Sequence, residues 1–475
     1  MALTITSKDI QKRELFLEGN ILRGILTVCM PMAAFQLLNQ LFRVFDLAIT
    51  AHISLESVSA VSFFNQLSNS ATAIGTGLSI GAGILIAGFY GAGDYENVKR
   101  TVNTTSFLAV ISALGLAGFL ILADDWVLGL ANTPAELVEV GLNYYRVTMV
   151  TLLFTSFNNM YIAIEKARGN GGRILTVNLL MAVSKVILSA LFVLVFHQGV
   201  VMVAVSTLLS NLLVTIVGLY YLRNSQDVFG LSRKYIQLEA GFIKSLLHIS
   251  FPVMAEKFAF SAGKVVVNSV GVDYGTQTVG ALGISNSISA LSTVPAGSIG
   301  DGGAAIIRQN IGGGKRRRAL QVFRSVFLVD VAWGTLGFFL TWLFLDPILV
   351  AFSSGDMEFA QLIRQIFVLE MISNIFLSVH AGVMALLYAF GYTKMSFGIN
   401  FARLFLFRLP ILFALKQFTA LSGGTAMGVV MMVSNGLTGL LAMLTAVVVL
   451  RKEYGPKWFD QLMHSGKDGG EKQSR

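Results

Sequence analysis

The chain is a succession of long apolar runs broken by short polar ones, and this pattern restricts its fold more than any motif does. Runs fall at 21–46, 57–90, 102–123, 141–163, 174–196 and 199–222, then at 243–270, 276–308, 321–345, 362–388, 396–416 and 423–450. Most are long enough for a helix to cross a hydrocarbon layer of roughly 30 Å. Backbone amides in lipid must be bonded within the protein, which leaves helices or closed barrels, and the apolar–polar alternation of a barrel is absent. The first run is too long for a signal-peptide core and no small-residue cleavage site follows it. The sequence therefore predicts an all-α polytopic membrane protein with twelve transmembrane helices. With 13% charged and 54% apolar residues, against about a quarter charged in soluble domains, a soluble enzyme, a nucleic-acid-binding domain and a disordered chain are excluded.

One cysteine, Cys29, rules out an intrachain disulfide. His52, His197, His248, His380 and His464 lie far apart, with no pair at metal-ligand spacing. No metal site and no cofactor is expected.

The basic residues orient the spans. Of 35 Lys and Arg, 25 fall in the amino-terminal arm, alternate loops and the tail, whereas the opposite loops 123–137, 197–199, 273–277 and 422–425 hold none. The positive-inside rule puts both termini in the cytoplasm. Much of the formal charge of +9 is thus topology, and no nucleic-acid partner is expected.

A shift of 221 residues superposes Pro31 on Pro252, Gly91 and Gly93 on Gly312 and Gly314, and Asp125 on Asp346; at 222, Gly169 meets Gly391 and Asn178 meets Asn400. Six spans per repeat give both halves the same orientation. Such parallel repeats belong to secondary transporters whose site lies near the bilayer midplane. The predicted organisation is a cytoplasmic arm at 1–20, an N-lobe at 21–222 (spans 1–6), a polar linker at 223–242, a C-lobe at 243–450 (spans 7–12) and a cytoplasmic tail at 451–475.

Segment 17–50 (LEGNILRGILTVCMPMAAFQLLNQLFRVFDLAIT) resembles the first span of the multidrug and toxic-compound extrusion (MATE) family. Segments 77–100 (GLSIGAGILIAGFYGAGDYENVKR) and 300–319 (GDGGAAIIRQNIGGGKRRRA) are similar to its glycine-rich second and eighth spans. FNNMYIAIEKARGNG (157–171) and LLYAFGYTK (386–394) resemble its motif after spans four and ten. The likeness runs through both halves in order. It implies two pseudo-symmetric six-helix lobes around a central cavity in the cytoplasmic (inner) membrane. It further implies export by alternating access, driven by a proton or sodium gradient.

Gly77-Leu78-Ser79-Ile80-Gly81 fits the pattern G-x-S-x-G, but that motif needs a strand–turn–helix setting with a histidine and an acid. Within a membrane helix, Gly75, Gly77, Gly81 and Gly83 instead allow close contact or a bend, with Gly297, Gly300, Gly302 and Gly303 as counterparts. No Walker pattern accompanies the glycine turns. The chain is not read as an enzyme.

Ionisable residues inside spans are costly and point to function. Asp46 is foremost, and the resemblance implies that it binds the coupling cation or proton. Glu256 in span seven and Glu370 in span ten are acids in spans where family members carry one, at shifted positions; they join Asp46 as coupling candidates. Arg43 stands three residues before Asp46 on the same helix face, where the family commonly has asparagine. Lys185 and Ser189 occupy places where the family often shows asparagine and aspartate. A lysine facing Asp46 would depress its pKa and fill the place of a sodium ion, so the N-lobe is expected to lack the usual sodium site. Lys257 and Lys264, seven residues apart, share a helix face. Arg403 and Arg408 read as structural.

Arg43, Lys185, Ser189, Lys257, Lys264 and Asn158 are the candidate substrate-cavity residues. Their charge raises an anionic or zwitterionic substrate as an alternative to cationic drugs, since opposite charge supplies selectivity. The expected function is secondary active antiport of small amphipathic organic molecules. A lipid or lipid-linked-sugar flippase of the same superfamily is the other alternative. One chain supplies both lobes, so a monomer in the lipid bilayer is expected.

Overall fold

The computed structural model describes residues 3–51, 53, 55–131, 133, 135–353 and 356–463. The side chains of 41, 43–48, 50–51, 55–59, 62, 276, 351–353 and 463 lie outside that description, which takes in Arg43 and Asp46. The helices of the first half are α1 (Ser7–Leu17), α2 (Ile21–Ala51), α3 (Leu55–Ala92), α4 (Tyr95–Leu122), α5 (Asp124–Leu130), α6 (Ala135–Arg168), α7 (Gly171–Ala190) and α8 (Val201–Leu222). The second half contributes α9 (Ala240–Gly271), α10 (Thr276–Gly312), α11 (Arg316–Leu343), α12 (Leu345–Ser353), α13 (Met357–Phe390), α14 (Thr393–Phe401), α15 (Leu409–Phe418), α16 (Gly423–Tyr454) and α17 (Trp458–Met463). A π-helical segment, Leu191–Val195, extends α7, and another, Ala402–Arg408, joins α14 to α15. Counting α14 to α15 as one span, twelve helices among the described residues are long enough to cross a bilayer. Among the described residues, ten of the twelve contain a stretch apolar enough to cross a membrane. The other two, α9 and α10, carry Glu256, Lys257 and Lys264, and a serine- and glycine-rich stretch with Asp301.

Local chemistry sets the boundaries. Asp94 caps α4 by accepting from the Asn97 amide at 3.1 Å, and Asp356 caps α13 by accepting from the Glu358 and Phe359 amides at 2.9 and 3.0 Å. The repeat reappears in the backbone. Gly93 and Gly314 have φ of 77° and 74°, and Gly169 and Gly391 have 81° and 79°. Both pairs end helices in the left-handed region that glycine adopts without steric cost.

The chain divides into two compact units. Unit 1 comprises Met1–Ile10, Pro31–Phe89 and Asp94–Val266. Its apolar centre includes Phe64, Tyr144, Tyr145, Met149, Leu152 and Val203. The Phe64 ring lies 5.6 Å from that of Tyr145, over Gly141, where a Cβ would meet it. The linker of unit 1 is held by a buried charge network. Arg168 donates to both Asp9 oxygens at 2.9 and 2.7 Å and to Asp227 at 2.7 Å, while Lys99 donates to the Asp227 carbonyl. Such bidentate guanidinium–carboxylate pairs are among the stronger polar contacts.

In unit 1, α3 and α9 touch backbone to backbone. A Cβ on Gly77 would lie 2.5 Å from the Met254 Cα, and one on Gly81 would lie 2.9 Å from the Ser250 Cα. Ser79 between them is buried and donates to the Gly75 carbonyl at 2.8 Å, within its own helix. The G-x-S-x-G match is a helix-packing surface.

Unit 2 comprises Gln11–Met30, Tyr90–Gly93 and Val267–Arg475. Its α10, α11, α13 and α16 approach closely through small residues: Gly300 against the Ala381 carbonyl, Gly303 against Val326, Gly334 against Ser378 and Gly439 against Phe376. Arg13 donates to the Tyr90 and Gly91 carbonyls, both at 2.9 Å, filling acceptors that the end of α3 leaves open. The Lys315 ammonium beside Glu18 holds its carboxyl below the usual carboxylate range. Apolar side chains such as Leu114, Ile187, Phe339 and Leu444 point outward and are exposed, as lipid-facing residues are.

Adding one methyl where the backbones touch is expected to cost about 1–3 kcal/mol. Gly77→Ala should therefore lower the midpoint of thermal unfolding in detergent. Gly118→Ala, with no atom within 4 Å of its Cβ, should leave the midpoint unchanged or raise it slightly.

Candidate functional site

The contact at Gly77 and Gly81 brings α9 alongside α3, and the two helices diverge around a cleft of about 280 Å³ in unit 1. Gln66, Asn69, Thr72, Ala73 and Thr76 of α3 line one wall; Lys257, Phe260, Ser261 and Lys264 of α9 line the other. Gln66 Nε2 donates to the Ser261 carbonyl at 3.2 Å and lies 3.3 Å from its hydroxyl. The Ser70 and Ser261 hydroxyls are 2.9 Å apart. Asn159 Nδ2 donates to Thr76 Oγ1 at 3.2 Å. These bonds fix the amide wall opposite the lysines.

Among the described residues, Lys257 and Lys264 are the charged side chains in its lining and no carboxylate is. The nearest acid along the helix, Glu256, is buried and pairs with Lys257 at 3.2 Å. Lys264 Nζ stands 4.9 Å from the Phe260 ring centroid, within cation–π range. Ammonium and amide donors beside an aromatic face suit an organic anion or zwitterion, and the volume is near the lower end for ligand pockets.

The other sequence-derived candidates do not converge on this cleft. Asn158 of α6 is bonded to α8: its Nδ2 donates to the Asn211 carbonyl at 3.1 Å, and its Oδ1 accepts from Thr215 at 3.0 Å. Lys185 and Ser189 lie one turn apart on α7, the first half-buried and the second fully buried. Asp46 and Arg43 belong to α2, with side chains outside the described residues. Glu370 belongs to unit 2, where Ser285 Oγ donates to it at 2.5 Å.

Around Glu370 lies a feature that sequence reasoning missed. Arg403 donates to Asn435 Oδ1 at 3.1 and 2.9 Å, and Arg408 donates to the same oxygen at 2.8 Å and to Ser434 Oγ at 3.2 Å. Asn435 Nδ2 in turn donates to Ser373 Oγ at 3.2 Å. Residues five apart on an α-helix face different ways. The π segment, closing on the fifth residue, stacks them. Pro410 lacks the N–H that would close the ladder back toward residue 406, which favours the widened turn just before it. Arg408 is fully buried here, and Glu370 supplies negative charge nearby. The polar wall of α3 was also missed, although Gln66, Asn69 and Thr76 recur at helical spacing along it. That stripe was the available signal.

The MatE family model matches residues 31–191 and 252–414, one segment in each half of the chain. The chain belongs to the MatE family. Members of this family are membrane transporters, not enzymes. The probable multidrug resistance protein NorM of Thermotoga maritima is 22% identical over 404 residues, covering 84% of this chain and 86% of that protein. The probable multidrug resistance protein YoeA of Bacillus subtilis is 24% identical over 315 residues, covering 64% and 68%. Among solved structures, a multidrug resistance MATE transporter in an outward-facing conformation superposes with a TM-score of 0.86 at 18% identity, covering 95% of this chain and 99% of that one. A Pyrococcus furiosus transporter, described as having a binding pocket of reverse polarity that suggests a different function, matches with the same TM-score, identity and coverage. The twelve-helix MatE fold predicted from the sequence is thereby established.

The shared acceptor in unit 2 gives a direct test of packing around the arginines. Asn435→Leu strips an oxygen from two guanidinium groups and is expected to destabilise by about 3–5 kcal/mol. Asn435→Asp, which keeps the acceptor, should retain most of the stability in the same thermal-unfolding assay.

Proposed function

We propose that this MatE protein is a secondary active exporter whose substrate is a small amphipathic organic anion or zwitterion. The observation that carries this reading is the α3–α9 cleft, lined among the described residues by Lys257 and Lys264 and by no carboxylate. A cation-selective drug site is favoured by acidic lining, since opposite charge concentrates and orients the ligand. Here the ammonium groups supply charge-assisted donors, Gln66 and Asn69 supply neutral ones, and Phe260 supplies an apolar wall.

The remaining parts of the proposal follow from the sequence. The protein sits in the cytoplasmic membrane with both termini in the cytoplasm, as the distribution of basic residues favours. It acts as a monomer, one chain supplying both halves of the repeat. Alternating access is driven by a proton or sodium gradient, with Asp46 as the coupling carboxyl and Lys185 standing where a sodium ligand is expected. The multidrug activities named for NorM and YoeA support export of organic molecules; the cleft chemistry narrows the charge.

Equilibrium binding to purified protein tests the charge preference. A fluorescent aromatic sulfonate should bind more tightly than an aromatic quaternary ammonium ion of similar size. Lys257→Gln combined with Lys264→Gln should weaken the sulfonate by about tenfold or more, the scale of one lost hydrogen bond to a charged group. Preferential binding of the ammonium ion, unchanged or strengthened by the double substitution, would contradict the proposal.

A further inference from the structure

Unit 2 contains a carboxylate that no part of the proposed cleft uses. Asp330, in the middle of α11, is completely buried. Neither of its oxygens has a hydrogen-bond partner among the described residues. Its Oδ2 points at a junction of three helices, 3.5 Å from where a Cβ on Gly300 of α10 would sit and 3.5 Å from where one on Gly382 of α13 would sit. The Ala381 carbonyl oxygen borders the same gap, 2.6 Å from the Gly300 Cβ position. Alanine at Gly300 would intrude on the Ala381 carbonyl oxygen and come into van der Waals contact with Asp330 Oδ2. Asn374, two turns before Gly382 on α13, likewise has a buried side-chain oxygen without a donor. The two Asp330 oxygens thus lack donors at a helix contact kept open by glycine.

We propose that Asp330 is the carboxylate of a monovalent-cation site in unit 2, taking a proton or an alkali-metal ion. An ionised carboxylate in so apolar a place is unsustainable without a compensating positive charge. The ionisable groups on the packed elements are Asp301 and Arg308 of α10, Glu358, Arg364, Glu370, His380 and Tyr388 of α13, and Asp460 of α17, which meets α11 near Arg324. Asp301, next to Gly300, adds negative charge close by. No cluster of three histidine, cysteine or acidic side chains suited to a metal occurs among the described residues. This fits a singly charged guest held at one carboxylate beside a backbone carbonyl rather than a divalent ion. The site is independent of the substrate reading of the α3–α9 cleft, since its residues all belong to unit 2.

Two readouts on the full-length protein separate the guests. In the first, thermal unfolding is compared in sodium and in N-methylglucamine at fixed ionic strength and pH. In the second, infrared difference spectra between acid and alkaline buffer follow the carboxyl C=O band. An alkali ion predicts a sodium-dependent stabilisation that survives Asp46→Asn and is lost in Asp330→Asn. A proton predicts no such stabilisation, and a titrating carboxyl band that Asp330→Asn removes and Asp330→Glu restores in shifted form. Sodium and pH responses both identical in wild type and Asp330→Asn would overturn the site. Should the substituted proteins not fold, carbodiimide labelling of wild-type Asp330, read by mass spectrometry, decides. Labelling suppressed by sodium or dependent on pH supports the site, and labelling indifferent to both refutes it.

Discussion

The contact on which unit 1 depends is the backbone-to-backbone approach of α3 and α9 at Gly77 and Gly81. Lipid offers no hydrophobic drive between helices that are already apolar, so association rests on close packing and on polar bonds across the contact. Two glycines let the helices meet, and Gln66 and Ser70 then bond to Ser261 further along. The same pairing fixes where the helices separate, and the cleft with Lys257 and Lys264 opens there. Packing and substrate chemistry are therefore two outcomes of one helix pair.

Charge within apolar surroundings is handled in three different ways. Arg168 is saturated by Asp9 and Asp227, which ties the amino-terminal arm and the linker to α6. Arg403 and Arg408 share a single amide oxygen, brought together by a π turn. Asp330 is given no donor among the described residues. The first two are the paired arrangements that a low-dielectric interior demands, since removing one partner strands the other. The third departs from that rule, and the glycines around it leave room for a guest.

The fold was legible because lipid imposes a strong constraint. Apolar runs could only be helices, and the repeat announced itself at Gly93 and Gly314 and at Gly169 and Gly391, which proved to be left-handed helix ends in both halves. Lys257 and Lys264 were legible as a pair because seven residues return to the same helix face. Their partners were not. The wall from Gln66 to Thr76 is made of neutral side chains, which carry no charge signal, and its apposition to α9 is a tertiary fact. Asn158 looked like a cavity residue by motif, but its amide is consumed by Asn211 and Thr215. Arg403 and Arg408 converge only because the helix widens, which an ideal helical wheel does not foresee. The exchange of chain between units was equally hidden: α2 changes unit at Pro31 and α9 changes after Val266, so units formed in space do not follow a simple cut of the sequence.

The central claim is that a basic cleft selects the substrate. Flux in proteoliposomes under imposed proton and sodium gradients tests it most directly, comparing an aromatic organic anion with an organic cation of equal size. The account predicts gradient-driven movement of the anion, abolished when Lys257 and Lys264 are both neutralised. Movement of the cation alone, insensitive to those substitutions, would contradict it.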